Sequence, residues 1–186
     1  MILLVDPAFR AGSLSMDEFV LPVGRIVERS ERTWRYRHYA DIGREIPEET
    51  EGVIICGTAL KDNSFLSAVD RFDWLKATEI PVLGICAGMQ VLCLAFGGTV
   101  GEGSEIGMTE VHVILPHPLL PPPPSFQAYE LHSHSCEPPP AWETLAVSSA
   151  CVQAIRDPHH PRYGVMFHPE VRNDCVVEAF LEMCVG

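Results

Sequence analysis

The sequence lacks the marks of several common protein classes. No CxxC pair occurs, and the seven cysteines at 56, 86, 93, 136, 151, 175 and 184 follow no disulfide-scaffold spacing. Reduced thiols are therefore expected, rather than a cross-linked secreted fold. Positive charge is scarce: 13 Lys+Arg against 25 Asp+Glu give a formal net charge of −12. That balance opposes binding to nucleic acid or to an anionic membrane, since both require a basic face. The one long uncharged run, Ile80 to Val100, contains Pro81, Gln90 and glycines at 84, 88, 97 and 98, which suits strand, turn and buried helix rather than a membrane span. Met1–Val5 meets Asp6 without a basic flank and is too short for a secretory leader, so a cytoplasmic protein is expected. There is no internal repeat and no phosphate-binding glycine-rich loop.

What is present suits a single domain over residues 1–186, with 47% apolar residues to fill its core. Met1–Val5, Trp34–Tyr39, Gly52–Cys56 and Pro81–Ile85 read as strands. Ser15 can cap a helix beginning at Met16, which Pro22 kinks or ends. Apolar residues at 65, 68, 69, 72 and 75 follow the helical period over 63–76, and 87–96 is a helix apolar on nearly every side, hence buried. Alternating strands and helices imply a mostly parallel central sheet flanked by helices. After Gly107 the pattern changes to short strands at 111–115, 127–131, 144–147, 152–155 and 163–167, a smaller antiparallel β part separated by proline-rich loops. Pro121–Pro124 is an extended surface segment, and a helix over 174–183 follows. Six arginines cluster at 25, 29, 32, 35, 37 and 44; Glu28 and Glu31 interrupt them, which favours a solvated face over a docking patch.

Two motifs carry chemistry. In Gly84-Ile-Cys-Ala-Gly-Met-Gln90 a cysteine stands where a buried strand turns into a helix, the arrangement of a nucleophile elbow. Gly84 and Gly88 permit the tight turn, and the helix N-terminus favours the thiolate. Backbone N–H groups at that helix start, Ala87 first, are free to face an oxyanion. A lone strand-end cysteine is usually a small buried hydrophobe. A chance match to Gly-x-Cys-x-Gly-x-Gln anywhere in the chain is below about 1%, however. In the second motif, Gly164-Val-Met-Phe-His-Pro-Glu170, an apolar strand ends in histidine, proline and carboxylate. Imidazole can hold the thiol ionised and protonate departing ammonia, and a carboxylate on its other nitrogen fixes tautomer and orientation.

Together the motifs resemble the class I glutamine amidotransferases, whose members carry Gly-x-Cys-x-Gly-x-Gln and, roughly eighty residues later, a strand ending in His-Pro-Glu. Here 82 residues separate Cys86 from His168. The resemblance implies the flavodoxin-like α/β fold of that family and a glutaminase with no cofactor. Cys86 is then the nucleophile, His168 the acid/base and Glu170 the third triad member. Gly57 and Ala87 supply the oxyanion N–H groups, while Gln90, Ser133 and His134 hold glutamine. With no room for an activating domain, ammonia would pass to a separate synthetase partner. Two alternatives are a free-standing γ-glutamyl hydrolase and a catalytically idle regulatory module.

The sequence departs from the family pattern in three places. Cys56-Gly57-Thr58-Ala59 replaces the usual Gly-Gly-Pro loop. Ser135-Cys136 follows His134 where the similar separate glutaminase subunits of GMP synthases often carry an acidic residue facing the synthetase. Phe9–Phe19 lacks the common Tyr/Asp-Ser-Phe opening. These mark a divergent branch. Separately, His132-x-His134-x-Cys136 offers zinc-type ligands on alternate residues of a strand. No spacing selects a fourth from His117, His159, His160 or Cys151, so no metal is expected.

Overall fold

A computed structural model describes residues 1–43 and 46–184. Five strands form the parallel half of the sheet: β1 (Ile2–Asp6), β2 (Trp34–His38), β3 (Gly52–Ile55), β4 (Val82–Ile85) and β9 (Arg162–Val165). The antiparallel half comprises β5 (Thr99–Val113), β6 (Ser125–Glu137), β7 (Glu143–Val147) and β8 (Val152–Arg156). Among the described residues all nine join one sheet in the order β2-β1-β3-β4-β9-β8-β7-β5-β6. The expected division into a parallel sheet and a later antiparallel part therefore holds, except that the last strand, β9, returns to the parallel half and pairs with β4.

Period-two burial explains why β1, β3 and β4 are apolar on both faces. Ile2, Leu4, Ile54 and Leu83 point into one core with α1 (Leu21–Arg29) and α4 (Cys175–Met183), where Val23, Val27, Val177 and Phe180 meet them. Leu3, Val5, Val53 and Val82 point into the opposite core with α2 (Trp74–Ala77) and α3 (Ala87–Ala95).

The structure corrects three expectations. Met16–Val20 is a π-helical turn leading straight into α1, and Pro22 lies in that helix's first turn. Proline carries no N–H, and the first turn of α1 needs none from it, so Pro22 is accommodated there instead of ending the helix. The helix expected over 63–76 is broken into 3₁₀ turns at Ser64–Ser67 and Val69–Phe72 followed by the single turn of α2. The Ser64 hydroxyl donates to Asp62 and the Ser67 hydroxyl to the Ser64 carbonyl, local bonds that compete with a continuous helix. The strands expected at 111–115 and 127–131 are the ends of a much longer hairpin, β5–β6.

In the basic cluster, Arg29 pairs with Asp174, Arg32 with Glu51 and Arg35 with Glu49, and these partly solvated pairs agree with the reading as a charged outer face; Arg44 lies outside the described residues. Pro122–Pro124 are exposed, as expected. No helix among the described residues is long and apolar enough to cross a membrane.

Candidate active site

Adjacent parallel strands place the two motifs together. Ile85 of β4 is in register with Val165 of β9, and the Cys86 N–H donates to the Val165 carbonyl at 2.8 Å. Cys86 therefore leaves β4 beside the end of the strand that carries His168. Its backbone has φ 49° and ψ −100°, a conformation that L residues rarely adopt and that a sharp strand-to-helix elbow imposes. The two motif glycines let the backbones touch. A Cβ on Gly84 would strike the Gly88 backbone, and one on Gly88 would strike the Ile55 carbonyl.

His168 is 1% exposed, and its own N–H donates to the Tyr129 carbonyl of β6 at 2.9 Å. Its Nδ1 meets Glu170 Oε1 at 2.7 Å, with both side chains essentially inaccessible. Burial acts to lower the His168 pKa, but the Glu170 carboxylate and then the Cys86 sulfur outweigh it and hold it well above the usual imidazole value. His168 Nε2 has no hydrogen-bond partner of its own among the described residues, which leaves that nitrogen to serve the thiol and a substrate. Phe19 tilts against the ring, with centroids 5.5 Å apart. Gly57 backs it from another side: a Cβ there would lie 2.6 Å from His168 Cε1. Burial, then the Glu170 and Asp6 charges, push the Cys56 thiol far up, and burial lifts Cys184 to about 12. Neither is ionised at neutral pH.

A narrow cleft opens at Cys86. Thr58, Leu60, Phe65, Ala87, Gln90 and Leu131 line it, with Asn63, His132 and Ser133 completing the wall. Its free volume, the open mouth included, is about 210 Å³. Cys86 Sγ donates weakly to the Leu131 carbonyl at 3.8 Å. Gln90 is 3% exposed, and its Nε2 donates to the His134 carbonyl at 3.0 Å while its Oε1 is buried without a partner. That oxygen is positioned to accept from a bound ligand.

Residues 24–184 match the family model for Glutamine amidotransferase class-I. The chain belongs to the class I glutamine amidotransferases. A glutamine-hydrolyzing GMP synthase subunit from Methanosarcina barkeri is 34% identical over 148 residues, covering 75% of this chain and 76% of that protein. The Pyrococcus abyssi protein of the same name is 30% identical over 188 residues, covering 87% and 94%. A crystal structure from Thermoplasma acidophilum superposes with a TM-score of 0.86 at 23% identity, covering 98% of this chain and 92% of that one, and bears out the fold.

Within this amidotransferase, Cys86, His168 and Glu170 converge as the sequence implies, and Ala87, Gln90 and Ser133 line the cleft. Gly57 lies against the imidazole, and its N–H donates to no backbone or side-chain acceptor among the described residues. His134 contributes its carbonyl to Gln90, while its ring meets the Ser133 hydroxyl at 3.0 Å. Cys136 is buried beside Met89, Cys93 and Met166, so its side chain faces the interior and not a partner. No motif singles out Phe19, Leu131 or the Tyr129 carbonyl, because their roles come from tertiary placement; Leu131 and Tyr129 act through backbone atoms that any residue possesses.

Proposed function

We propose that the protein is a glutaminase in which Cys86, His168 and Glu170 release ammonia from the glutamine side chain for a separate synthetase of the GMP synthase type. The buried Glu170–His168 pair beside the strained Cys86 elbow is the observation that carries this reading. Cys86 Sγ attacks the side-chain carbonyl carbon, and the developing oxyanion accepts from the N–H groups of Gly57 and Ala87. His168 Nε2 gives its proton to the amide nitrogen, the C–N bond breaks, and ammonia leaves behind a γ-glutamyl thioester. Water then attacks that thioester as His168 takes its proton, which releases glutamate and the thiol. Glu170 keeps the imidazole in the required tautomer and balances its charge.

Relatives named as single subunits of a GMP synthase fit a division of labour between glutaminase and synthetase. Quenching the chain during glutamine turnover and weighing it by mass spectrometry tests the chemistry. A γ-glutamyl adduct on Cys86, and loss of ammonia release in Cys86→Ala, is expected; turnover that survives in Cys86→Ala refutes it. Partner dependence is a separate readout: slow turnover by the isolated chain that rises when the synthetase is added supports it, and equally fast turnover alone contradicts it.

A further inference from the structure

The β5–β6 hairpin and the β7–β8 turn bring together a second polar cluster that the triad does not use. Glu105 and His132 are register partners across the hairpin, next to an irregularity in the ladder between Glu102 and Glu105. Glu130 lies two residues away on the same face of β6. Cys151 enters from the β7–β8 turn with its Sγ 3.2 Å from Glu105 Oε2. His132 Nε2 stands 3.5 Å from Glu105 Oε2 and 3.4 Å from Glu130 Oε2. The candidate ligand atoms of Glu105, His132 and Cys151 all lie within 4.8 Å of one another.

Three properties of this cluster point to a bound cation. His132 Nδ1 contacts the Gly103 carbonyl at 3.0 Å. A carbonyl can only accept, so Nδ1 carries a proton there and Nε2 is the nitrogen that faces the carboxylates. Backbone carbonyls orient metal-binding histidines in this way. Next, Glu130 is 0% exposed, and neither of its carboxylate oxygens nor His132 Nε2 has a hydrogen-bond partner among the described residues. Glu130 faces His132 Nε2 across a 3.4 Å gap, a loose pairing for so deeply buried an acid. The gaps of 3.4 and 3.5 Å exceed the roughly 2.7–2.9 Å of a charge-assisted hydrogen bond. Finally, the Cys151–Glu105 and Glu105–His132 spacings of 3.2 and 3.5 Å fit a shared ion. Tetrahedral zinc, with oxygen and nitrogen at about 2.0–2.1 Å and sulfur at about 2.3 Å, sets neighbouring ligand atoms about 3.3–3.5 Å apart.

We propose that Glu105, His132 and Cys151 form a zinc-type divalent-cation site, with Glu130 behind His132. Thiolate and imidazole favour zinc over magnesium or calcium. The Ser148 hydroxyl and Gln153 Nε2 each donate to Glu105 Oε2 at 2.9 Å and hold that carboxylate in place. Of the His132-x-His134-x-Cys136 set considered from sequence, only His132 belongs to this site. Glu130 and His132 flank Leu131, whose carbonyl meets Cys86. A cation here joins β5, β6 and the β7–β8 turn and fixes the wall of the glutamine cleft.

Titrating the metal-stripped full chain with Co²⁺ tests the assignment independently of activity. One Co²⁺ per chain is expected, with the intense visible absorption of a tetrahedral ion, a sulfur-to-cobalt charge-transfer band, and displacement by zinc. Cys151→Ser should abolish the charge-transfer band and weaken binding by at least about 100-fold, beyond what loss of a residue that merely supports a ligand costs. Glu105→Gln should weaken binding but keep the band, and Cys175→Ser and Cys86→Ser should bind normally. Absence of stoichiometric uptake by the unaltered chain overturns the proposal, as does a charge-transfer band that survives in Cys151→Ser or disappears in Cys86→Ser.

Discussion

In the parallel half of the sheet every residue of β1, β3 and β4 is buried, whereas β5 alternates exposed and half-buried residues along most of Thr99–Val113. The buried half carries Cys86 and His168 at strand ends held by neighbours on both sides. The hairpin supplies the cleft wall through Leu131 and Ser133, and its outer face leaves Ile106 and Met108 open to solvent. Rigid packing thus holds Cys86 and His168, while the less enclosed element forms one wall of the cleft.

That contrast can be broken or sharpened by substitution. Glu170→Gln keeps the shape of the side chain but removes the charge facing His168. Glutaminase kcat should fall about 10²–10⁴-fold, and an unchanged kcat would remove Glu170 from the triad. The same variant has a pH signature. The folded His168 pKa is raised, so the imidazolium's contribution to stability is fully present below its unfolded value of about 6.5 and is lost as pH rises through the folded value. The urea midpoint of the unaltered chain should therefore decline on raising the pH from about 6 to 9, and that of Glu170→Gln should decline less.

Ile54→Ala, at a fully buried site in β3, should cost about 2–5 kcal/mol in urea unfolding. Gly57→Ala should push the buried imidazole out of line, lower kcat about 10²-fold and cost about 1–3 kcal/mol of stability, since the clash falls on His168. Near-normal activity would show that the ring has room to yield. Ile106→Ala, at a residue 64% exposed on the hairpin, should change stability by no more than about 0.5 kcal/mol. A loss comparable to that of Ile54→Ala would mean the hairpin is covered in solution.

The same contrast explains how much could be read from sequence. Strands buried on both faces announce themselves as runs such as Val53-Ile-Ile55, and the Cys86 and His168 motifs sit where such runs end, so the parallel half and the candidate site were legible. The hairpin was not, because Thr99–Glu110 mixes glycines and glutamates with few apolar residues and resembles a loop. Helix α1 was hidden for a related reason: Pro22 and Gly24 look like breakers, yet Pro22 occupies the first turn and Gly24 makes room for the Trp34 ring. The cluster at Glu105, Glu130, His132 and Cys151 draws on three separate segments, which only the pairing of β5 with β6 and with β7 brings together.

Labelling with a chloroketone analogue of glutamine, followed by peptide mass spectrometry, tests most directly whether Cys86 is the nucleophile. Modification at Cys86 alone, slowed by excess glutamine and strongly reduced in His168→Ala, is the predicted result. An unlabelled chain, or labelling at another cysteine that glutamine does not protect, would contradict it.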